Sequence, residues 1–363
     1  MRVGIIGARR AAQGIGQFVA GHLAALGANV MAIVGTRDET VAAAATELKR
    51  QHGLEVRGYC DAEEMFRRES LDAVAICSPQ QFHAQQMRSA LTHGVHVLCE
   101  KPFVFAPGAD NFAAARPLVE GFTAAGLVLM VNQQWPFTLG TFDRCWPGAR
   151  PPAKPLSRLE MLLAPAEDGP GMIPNAMPHV LSLLLTCAPT GGRIEALRIV
   201  RPGLGRLDVC FEYVHSAGRV AVQTWLVQAP RQPRPAGYAI NDCTVRRTIR
   251  VADYAMFLET GGQRLSQIAE AGPEAAAAAA TAGSDNSGWP GLEPSLRRGE
   301  VPAGSPSVPP TQFPLEDPLR LLLADFISRS RAERSAAAVD PAVLDNVRLL
   351  DELYAAVGQS IAE

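Results

Sequence analysis

The chain is short of charge, of aromatic residues and of long apolar runs. Of its 363 residues, 19% are charged and 6% aromatic, while 47% are hydrophobic. That is enough to build a sizeable core and too apolar for a disordered chain. Lys and Arg number 34 against 36 Asp and Glu, a formal net charge of −2. With no basic excess to neutralise phosphates, a nucleic-acid partner is not expected. No apolar stretch approaches the roughly 18 residues of a membrane span. Met1-Arg2-Val3-Gly4-Ile5-Ile6-Gly7 runs straight into an apolar segment without the pattern of a secretory signal. No membrane partner is expected either. Seven cysteines (Cys60, Cys77, Cys99, Cys145, Cys187, Cys210, Cys243) are scattered, odd in number and without a C-x-x-C pair. This suits reduced thiols in a cytoplasmic protein better than a disulfide frame. Neither the cysteines nor His93 and His96 show ligand spacing, so no metal is expected.

What is present falls into two textures, and the length suits about two domains. Up to Val131, short continuously apolar runs (Val3–Ile6, Val30–Val34, Val74–Cys77, Val95–Cys99, Leu127–Val131) alternate with amphipathic stretches. Runs of that kind suit strands covered on both faces. Between them Phe18, Val19, His22, Leu23 and Leu26 share a helical face. So do Val41, Ala44, Ala45 and Leu48, and again Ala84, Met87, Ala90 and Leu91. Asp61-Ala62-Glu63-Glu64 reads as a capping box opening another helix. The repetition predicts a parallel, doubly wound α/β domain over residues 1–131.

From Leu156 onward the pattern alternates instead. Leu207, Val209, Phe211 and Tyr213 face one way and Asp208, Cys210 and Glu212 the other. Val220, Val222, Thr224 and Leu226 repeat the pattern, as roughly does 244–251. Such strands predict an antiparallel sheet with one exposed face in a second domain, 132–363. A leucine-rich helix is expected over Asn175–Thr186, with closing helices over 318–329 and 341–357. The Ala-, Gly-, Pro- and Ser-rich stretch 269–311 reads as a long mobile insertion. An open sheet face calls for a cover, so a homo-oligomer, dimer or tetramer, is expected. Trp225 and Tyr213 read as core or interface, and Arg246, Arg247 and Arg250 as a solvated strand face.

Gly7-Ala8-Arg9-Arg10-Ala11-Ala12-Gln13-Gly14-Ile15-Gly16 joins the first strand to the first helix. Glycines at such a turn let backbone N–H groups and a helix N-terminus approach a pyrophosphate. Gly7, Arg9, Arg10, Gly14 and Gly16 are therefore candidate cofactor contacts. The spacing departs from G-x-G-x-x-G, with Arg9 at the second glycine position, and a glycine-rich turn without a ligand is the plainer alternative. After the second strand, Gly35-Thr36-Arg37-Asp38-Glu39 puts Thr36 and Arg37 where an acidic residue would hold the ribose hydroxyls of NAD. That favours a 2′-phosphate and hence NADP, with NAD possible. The alternative is a capping box of Thr36 and Glu39 with Arg37 solvated.

Ile76-Cys77-Ser78-Pro79 followed by His83, and Val97-Leu98-Cys99-Glu100-Lys101-Pro102, resemble the glucose–fructose oxidoreductase and inositol dehydrogenase (Gfo/Idh/MocA) family. Gly171-Met172-Ile173-Pro174-Asn175-Ala176-Met177-Pro178-His179 is similar to that family's Gly-rich turn and D-x-x-x-H helix. Asp317-Pro318-Leu319-Arg320 and Asn346-Val347-Arg348-Leu349-Leu350-Asp351 resemble its closing helices. The resemblance implies a Rossmann domain followed by an α/β domain with an open, mostly antiparallel sheet. It also implies that Lys101 and His179 meet at the nicotinamide, and that Ser78, Pro79 and His83 lie near the cofactor. A helix-start role for His83 is the structural alternative. Glu100 is expected to hold loop geometry or a cofactor ribose. Gln133, Gln134 and Trp135, with Asn132, end the last strand of the first domain, where ligands approach open parallel sheets, and are substrate-pocket candidates.

The implied chemistry is intelligible in itself. Oxidising a carbinol needs a base for the hydroxyl proton, and reduction needs the same group as an acid. A lysine beside a positively charged nicotinamide has its pKa lowered, and a histidine can shuttle the proton. Asn175 stands where the family has aspartate. It can orient His179 by a hydrogen bond but cannot stabilise an imidazolium by charge. Proton transfer then falls to Lys101, or the chain favours reduction, or catalysis has been lost. The expected activity is NAD(P)-dependent hydride transfer to or from a sugar, cyclitol or related carbonyl or alcohol, a small-molecule substrate. An NADPH-binding regulatory or scaffold protein without turnover, and a reductase of an imine or other small carbonyl, are the alternatives.

Overall fold

The computed structural model describes residues 1–9, 14–230, 234–250, 255–272, 311–332 and 339–360. Its compact units are Met1–Phe137 with Pro318–Asp351, and Thr138–Asp317 with Glu352–Glu363.

In the first unit the strands are β1 (Arg2–Ile6), β2 (Asn29–Val34), β3 (Arg57–Tyr59), β4 (Ala73–Ile76), β5 (His96–Cys99) and β6 (Leu129–Val131). They form one parallel sheet in the order β3-β2-β1-β4-β5-β6. The chain winds outward from β1 to β3 and returns to β4 beside β1. That reversal opens a crevice at the carboxyl ends of the strands. The helices between strands are α1 (Gly16–Ala25), α2 (Asp38–His52), α3 (Ala62–Arg68), α4 (His83–Thr92) and α5 (Asn111–Ala125). Their apolar faces divide into two cores, as a doubly wound sheet requires. One gathers Ile5, Val19, Leu23, Ile33 and Leu48, and the other Ile6, Val34, Met87, Ala90 and Phe122. Phe18, read as part of the α1 face, is instead 43% exposed. Asp61 caps α3 by accepting from Glu63 N–H at 3.0 Å.

The second unit contains α6 (Leu139–Cys145), β7 (Arg158–Leu163), α7 (Met172–Cys187), β8 (Arg193–Gly203), β9 (Arg206–His215), β10 (Gly218–Val227), β11 (Ala236–Ile240), β12 (Cys243–Ile249), β13 (Met256–Thr260), α8 (Leu265–Glu270) and β14 (Thr311–Leu315). Its eight strands run in the order β14-β13-β12-β11-β7-β10-β9-β8. β7 and β10 are parallel and every other neighbouring pair is antiparallel. The alternating residues pair as their pattern implies, Phe211 with Val222 and Tyr213 with Val220. Tyr213 is fully buried, its hydroxyl donating to the Pro189 carbonyl at 2.8 Å and accepting from Gly192 N–H at 3.1 Å. α8 covers Leu162, Trp225 and Val227.

Two expectations change. The chain closes with α9 (Pro318–Arg331) and α10 (Ala342–Ser360). Leu319, Leu322, Leu323, Phe326 and Ile327 of α9 share the core of Val3, Ile5 and Val19, so this helix packs with the first unit rather than with the strands that precede it. The compact units therefore differ from a single division at 131/132. Arg246 and Arg247 also do not share one solvated face: as consecutive residues of β12 they point to opposite sides of the sheet, and both are only partly exposed. The Arg246 side chain is 12% exposed and pairs with Glu259 of β13, which is 7% exposed. Arg250 is exposed over the Phe257 ring at 5.3 Å. Of the expected insertion 269–311, residues 273–310 lie outside the described residues. Among the described residues no helix is long and apolar enough to cross a membrane.

Candidate functional site

The first unit gathers most of the candidates at the carboxyl ends of its strands. Gly7 follows β1 with φ +86°, and a Cβ there would stand 2.7 Å from the Cys77 carbonyl oxygen. At Gly16 a Cβ would stand 2.4 Å from the Gly7 carbonyl oxygen. Both glycines are thus required by close backbone approach. α1 opens at Gly16, and Ile15 before it offers no side-chain acceptor to its first N–H groups. Donors of that kind suit an anion such as a pyrophosphate. Gly14 lies in the same turn partly exposed and Arg9 is exposed. Arg10 lies outside the described residues. After β2, Thr40 Oγ1 accepts from Arg37 N–H at 3.2 Å and donates to the Arg37 carbonyl at 2.8 Å. This reciprocal cap replaces the Thr36/Glu39 capping box, and both Thr36 and Arg37 are exposed.

Beyond β4 and β5 the loops are tied to each other. Ser78 Oγ donates to Gln86 Oε1 at 2.6 Å, and Pro79 is exposed. His83 is 1% exposed, with Nε2 at 2.9 Å from the Ser78 carbonyl oxygen and Nδ1 at 3.0 Å from that of Pro102. The Lys101–Pro102 peptide is cis. Burial holds the His83 pKa below the usual histidine range, against the pull of the carbonyl acceptors. A neutral ring has one N–H and can donate to one of the two carbonyls at a time. The residue expected beside the cofactor is therefore a link enclosed between two loops.

Glu100 accepts from Asn132 Nδ2 and, at 3.3 Å, from Lys101 N–H. Gln134 Nε2 continues the chain by donating to Asn132 Oδ1 at 3.2 Å. Burial raises the Glu100 pKa, with Asn132 and Lys101 acting in the other direction. Among the substrate candidates Gln133 and Gln134 are partly exposed, while Trp135 is 5% exposed. Sequence reasoning missed the Asn132–Glu100 bond. It was within reach of register arithmetic, because Cys99 pairs with Val131 and the next residue of each strand is its neighbour.

In the second unit, Asn175 and His179 lie one turn apart on α7, whose other residues from Met172 to Leu185 are buried. Asn175 Nδ2 donates to Glu167 Oε2, a partner supplied by the loop before α7. That loop has no periodicity to announce Glu167. Asn175 thus has a carboxylate of its own to serve. Among the described residues no group of three or more His, Cys, Asp or Glu could hold a metal ion. His93 instead meets Glu63 at 2.6 Å and stacks on Phe66.

Residues 1–133 match the model of an oxidoreductase family with an NAD-binding Rossmann fold, Gfo/Idh/MocA. This segment accounts for 133 of the 363 residues. The chain is similar to 4-carboxy-2-hydroxymuconate-6-semialdehyde dehydrogenase of a Sphingobium species, 32% identical over 128 residues. It is also similar to 1,5-anhydro-D-fructose reductase of Ensifer adhaerens, 34% identical over 131 residues. Those matches cover 34% and 36% of this chain, and 38% and 35% of the relatives' own lengths. UDP-N-acetylglucosamine 3-dehydrogenase GnnA from Acidithiobacillus ferrooxidans shares the fold over 99% of this chain and 96% of its own, with a TM-score of 0.60 at 20% identity. The segment that matches the family model contains the glycine turn, Thr36-Arg37, Ser78, Glu100 and Lys101 and ends at Gln133, whereas Asn175 and His179 lie beyond it.

Proposed function

We propose that the protein is an NAD(P)-dependent oxidoreductase that moves a hydride between a nicotinamide cofactor and a sugar, cyclitol or related small carbonyl or alcohol. The observation that carries this reading is the gathering of the glycine turn, the Ser78 loop and Glu100-Lys101-Pro102 at the carboxyl ends of β1, β4 and β5. The bound cofactor would supply or take the hydride. Gly7, Gly14 and Gly16, with Arg9, would hold its pyrophosphate, and Ser78 and Pro79 would line its path. Thr36 and Arg37, exposed after β2, favour the 2′-phosphate of NADP over NAD.

Lys101 Nζ is assigned the proton of the substrate oxygen, as acid in reduction and base in oxidation. Glu100 and Asn132 position it by holding its backbone N–H, with His83 fixing the loop from the other side. His179 assists, one turn of α7 away from Asn175. Gln133 and Gln134 would offer polar contacts to the substrate, with Trp135 behind them. Seven free thiols support a cytoplasmic site of action. The exposed Val200 and Leu204 around the β8–β9 hairpin support a homo-oligomer through the open sheet.

The test is oxidation of NADPH, followed by its absorbance, with a panel of sugar and cyclitol carbonyls, and the reverse reaction with the alcohols. Turnover with at least one member is expected. Saturable NADPH binding without turnover of any would favour a cofactor-binding sensor instead.

A further inference from the structure

A carboxylate and two side-chain amides at the ends of β5 and β6 form one hydrogen-bonded row, and chemistry fixes its direction. The row starts at Lys101 N–H, a backbone donor that cannot reverse, which donates to Glu100 Oε2 at 3.3 Å. An ionised carboxylate only accepts. Its other oxygen, Oε1, therefore takes an N–H, and Asn132 Nδ2 supplies it. With Nδ2 committed to Glu100, the end of Asn132 that meets Gln134 is Oδ1, and Gln134 Nε2 donates to it at 3.2 Å. Burial raises the Glu100 pKa, while both donors and the Lys101 charge favour its ionised form.

The backbone holds the row in place. Glu100 N–H donates to the Ile76 carbonyl and Asn132 N–H to that of Cys99, each at 2.8 Å, so strand pairing sets where both side chains start. Asn132 is 2% exposed, and Phe137 N–H donates to the Gln134 carbonyl at 3.1 Å. A buried amide between two such partners cannot turn over without losing a bond on each side. The order of donors thus passes from Lys101 to the last member, Gln134, whose side chain is partly exposed. With Nε2 directed at Asn132, this amide presents Oε1 on its outer side together with its second N–H. Turned the other way it would present N–H groups alone. A hydroxyl both donates and accepts and so matches Oε1 and N–H together. A carboxylate, phosphate or ether oxygen only accepts, and it would meet the lone pairs of Oε1.

We propose that Gln134 is a specificity-determining residue that accepts a hydrogen bond from a hydroxyl of the substrate, in an orientation dictated by Glu100 through Asn132. This rests on the oxidoreductase reading and narrows its substrate to a polyol carrying that hydroxyl, with no acceptor-only group in its place. One carboxylate then sets both the residue that reads the hydroxyl and the backbone of the residue assigned the proton.

Deoxyfluoro compounds test this, because fluorine is close to a hydroxyl in size, accepts weakly and donates nothing. The full chain, saturated with NADPH and again without it, is titrated calorimetrically with D-glucose, D-xylose, myo-inositol and their monodeoxy and monofluoro derivatives. For the parent bound most tightly, one position is expected where the deoxy and fluoro derivatives both bind about three- to tenfold more weakly, the loss of one neutral hydrogen bond. Gln134→Met should level that position, bringing parent and derivatives to equal affinity with NADPH affinity unchanged. Glu100→Gln should reverse the row, since Lys101 N–H retains the oxygen of the introduced amide and turns its N–H groups to Asn132. The fluoro derivative should then bind more tightly than the deoxy one at that position alone. Should Glu100→Gln not fold by circular dichroism, Gln134→Met decides by itself. The proposal is overturned by binding of no parent, by the absence of such a position, by its survival in Gln134→Met, or by an unchanged pattern in folded Glu100→Gln. Failure of the unmodified protein to bind NADPH would instead count against the oxidoreductase reading, since the titration without cofactor is read independently.

Discussion

The two units carry their candidate chemistry in different materials. In the first it is backbone: Gly7 and Gly16 permit close approach, the first N–H groups of α1 are donors, and strand ends carry Ser78, Glu100 and Lys101 into one crevice. In the second it is side chains on an otherwise buried helix, Asn175 and His179, with Glu167 brought in from the preceding loop. Backbone geometry of this kind suits a part common to every substrate, the dinucleotide. Side chains from separated segments suit what differs between substrates, because each can change without breaking a turn.

Substitution of Gly16 would break the comparison most severely. Gly16→Ala places a Cβ where the Gly7 carbonyl oxygen stands at 2.4 Å and forces the turn open. The pyrophosphate then forfeits two charge-assisted N–H bonds. At about 1.5–3 kcal/mol each, their absence corresponds to a fall of roughly a hundredfold or more in NADPH affinity. Fluorescence titration of the reduced nicotinamide measures it, with circular dichroism to confirm the fold. Undiminished binding in a folded variant would remove the pyrophosphate from this turn.

How far the sequence alone discloses each unit follows the same divide. β1, β2, β4, β5 and β6 are legible because each is a continuous apolar run, and the glycine turn because it follows the first of them. β3 is not legible: Arg57-Gly58-Tyr59 is three residues at an edge, with no apolar side to reveal it. The affiliation of α9 is hidden too, since its leucine face is equally suited to either unit until packing chooses the core of Val3 and Ile5. Arg246 reads as a surface cation because its partner Glu259 becomes its neighbour only when β12 and β13 pair. The roles of Asn132 and Glu167 likewise depend on contacts between segments that carry no shared pattern.

A milder change sharpens the cofactor side. Arg37→Ala should weaken NADPH by about tenfold while leaving NADH nearly unaffected, as removal of one ionic bond to the 2′-phosphate requires. Equal weakening of both cofactors, measured by parallel titrations, would make Arg37 a structural residue of the α2 cap.

The smallest effect concerns the link between loops. His83→Gln keeps an N–H donor group but not the ring that spans the two carbonyls, and should cost about 1–3 kcal/mol of stability near neutral pH, with a few-fold rise in the NADPH dissociation constant. Its pH dependence has a definite sign. The folded protein holds the His83 pKa below the usual value of about 6.5, so the unfolded chain takes up this proton more readily. Stability is therefore lost as pH falls through the ordinary histidine range towards the folded pKa, and His83→Gln should flatten that part of the profile. Urea unfolding at a series of pH values measures it; an unchanged slope would mean that His83 titrates alike in both states.

The claim at the centre is that Lys101, at the end of a strand in the first unit, moves the proton, and that His179 in the second only helps. Single-turnover hydride transfer from NADPH-loaded protein to its carbonyl substrate tests this in the Lys101→Ala and His179→Ala variants. Lys101→Ala is expected to slow transfer by about 10²–10⁴ with cofactor affinity intact, and His179→Ala by less. Near-normal transfer by Lys101→Ala together with an inactive His179→Ala would contradict it.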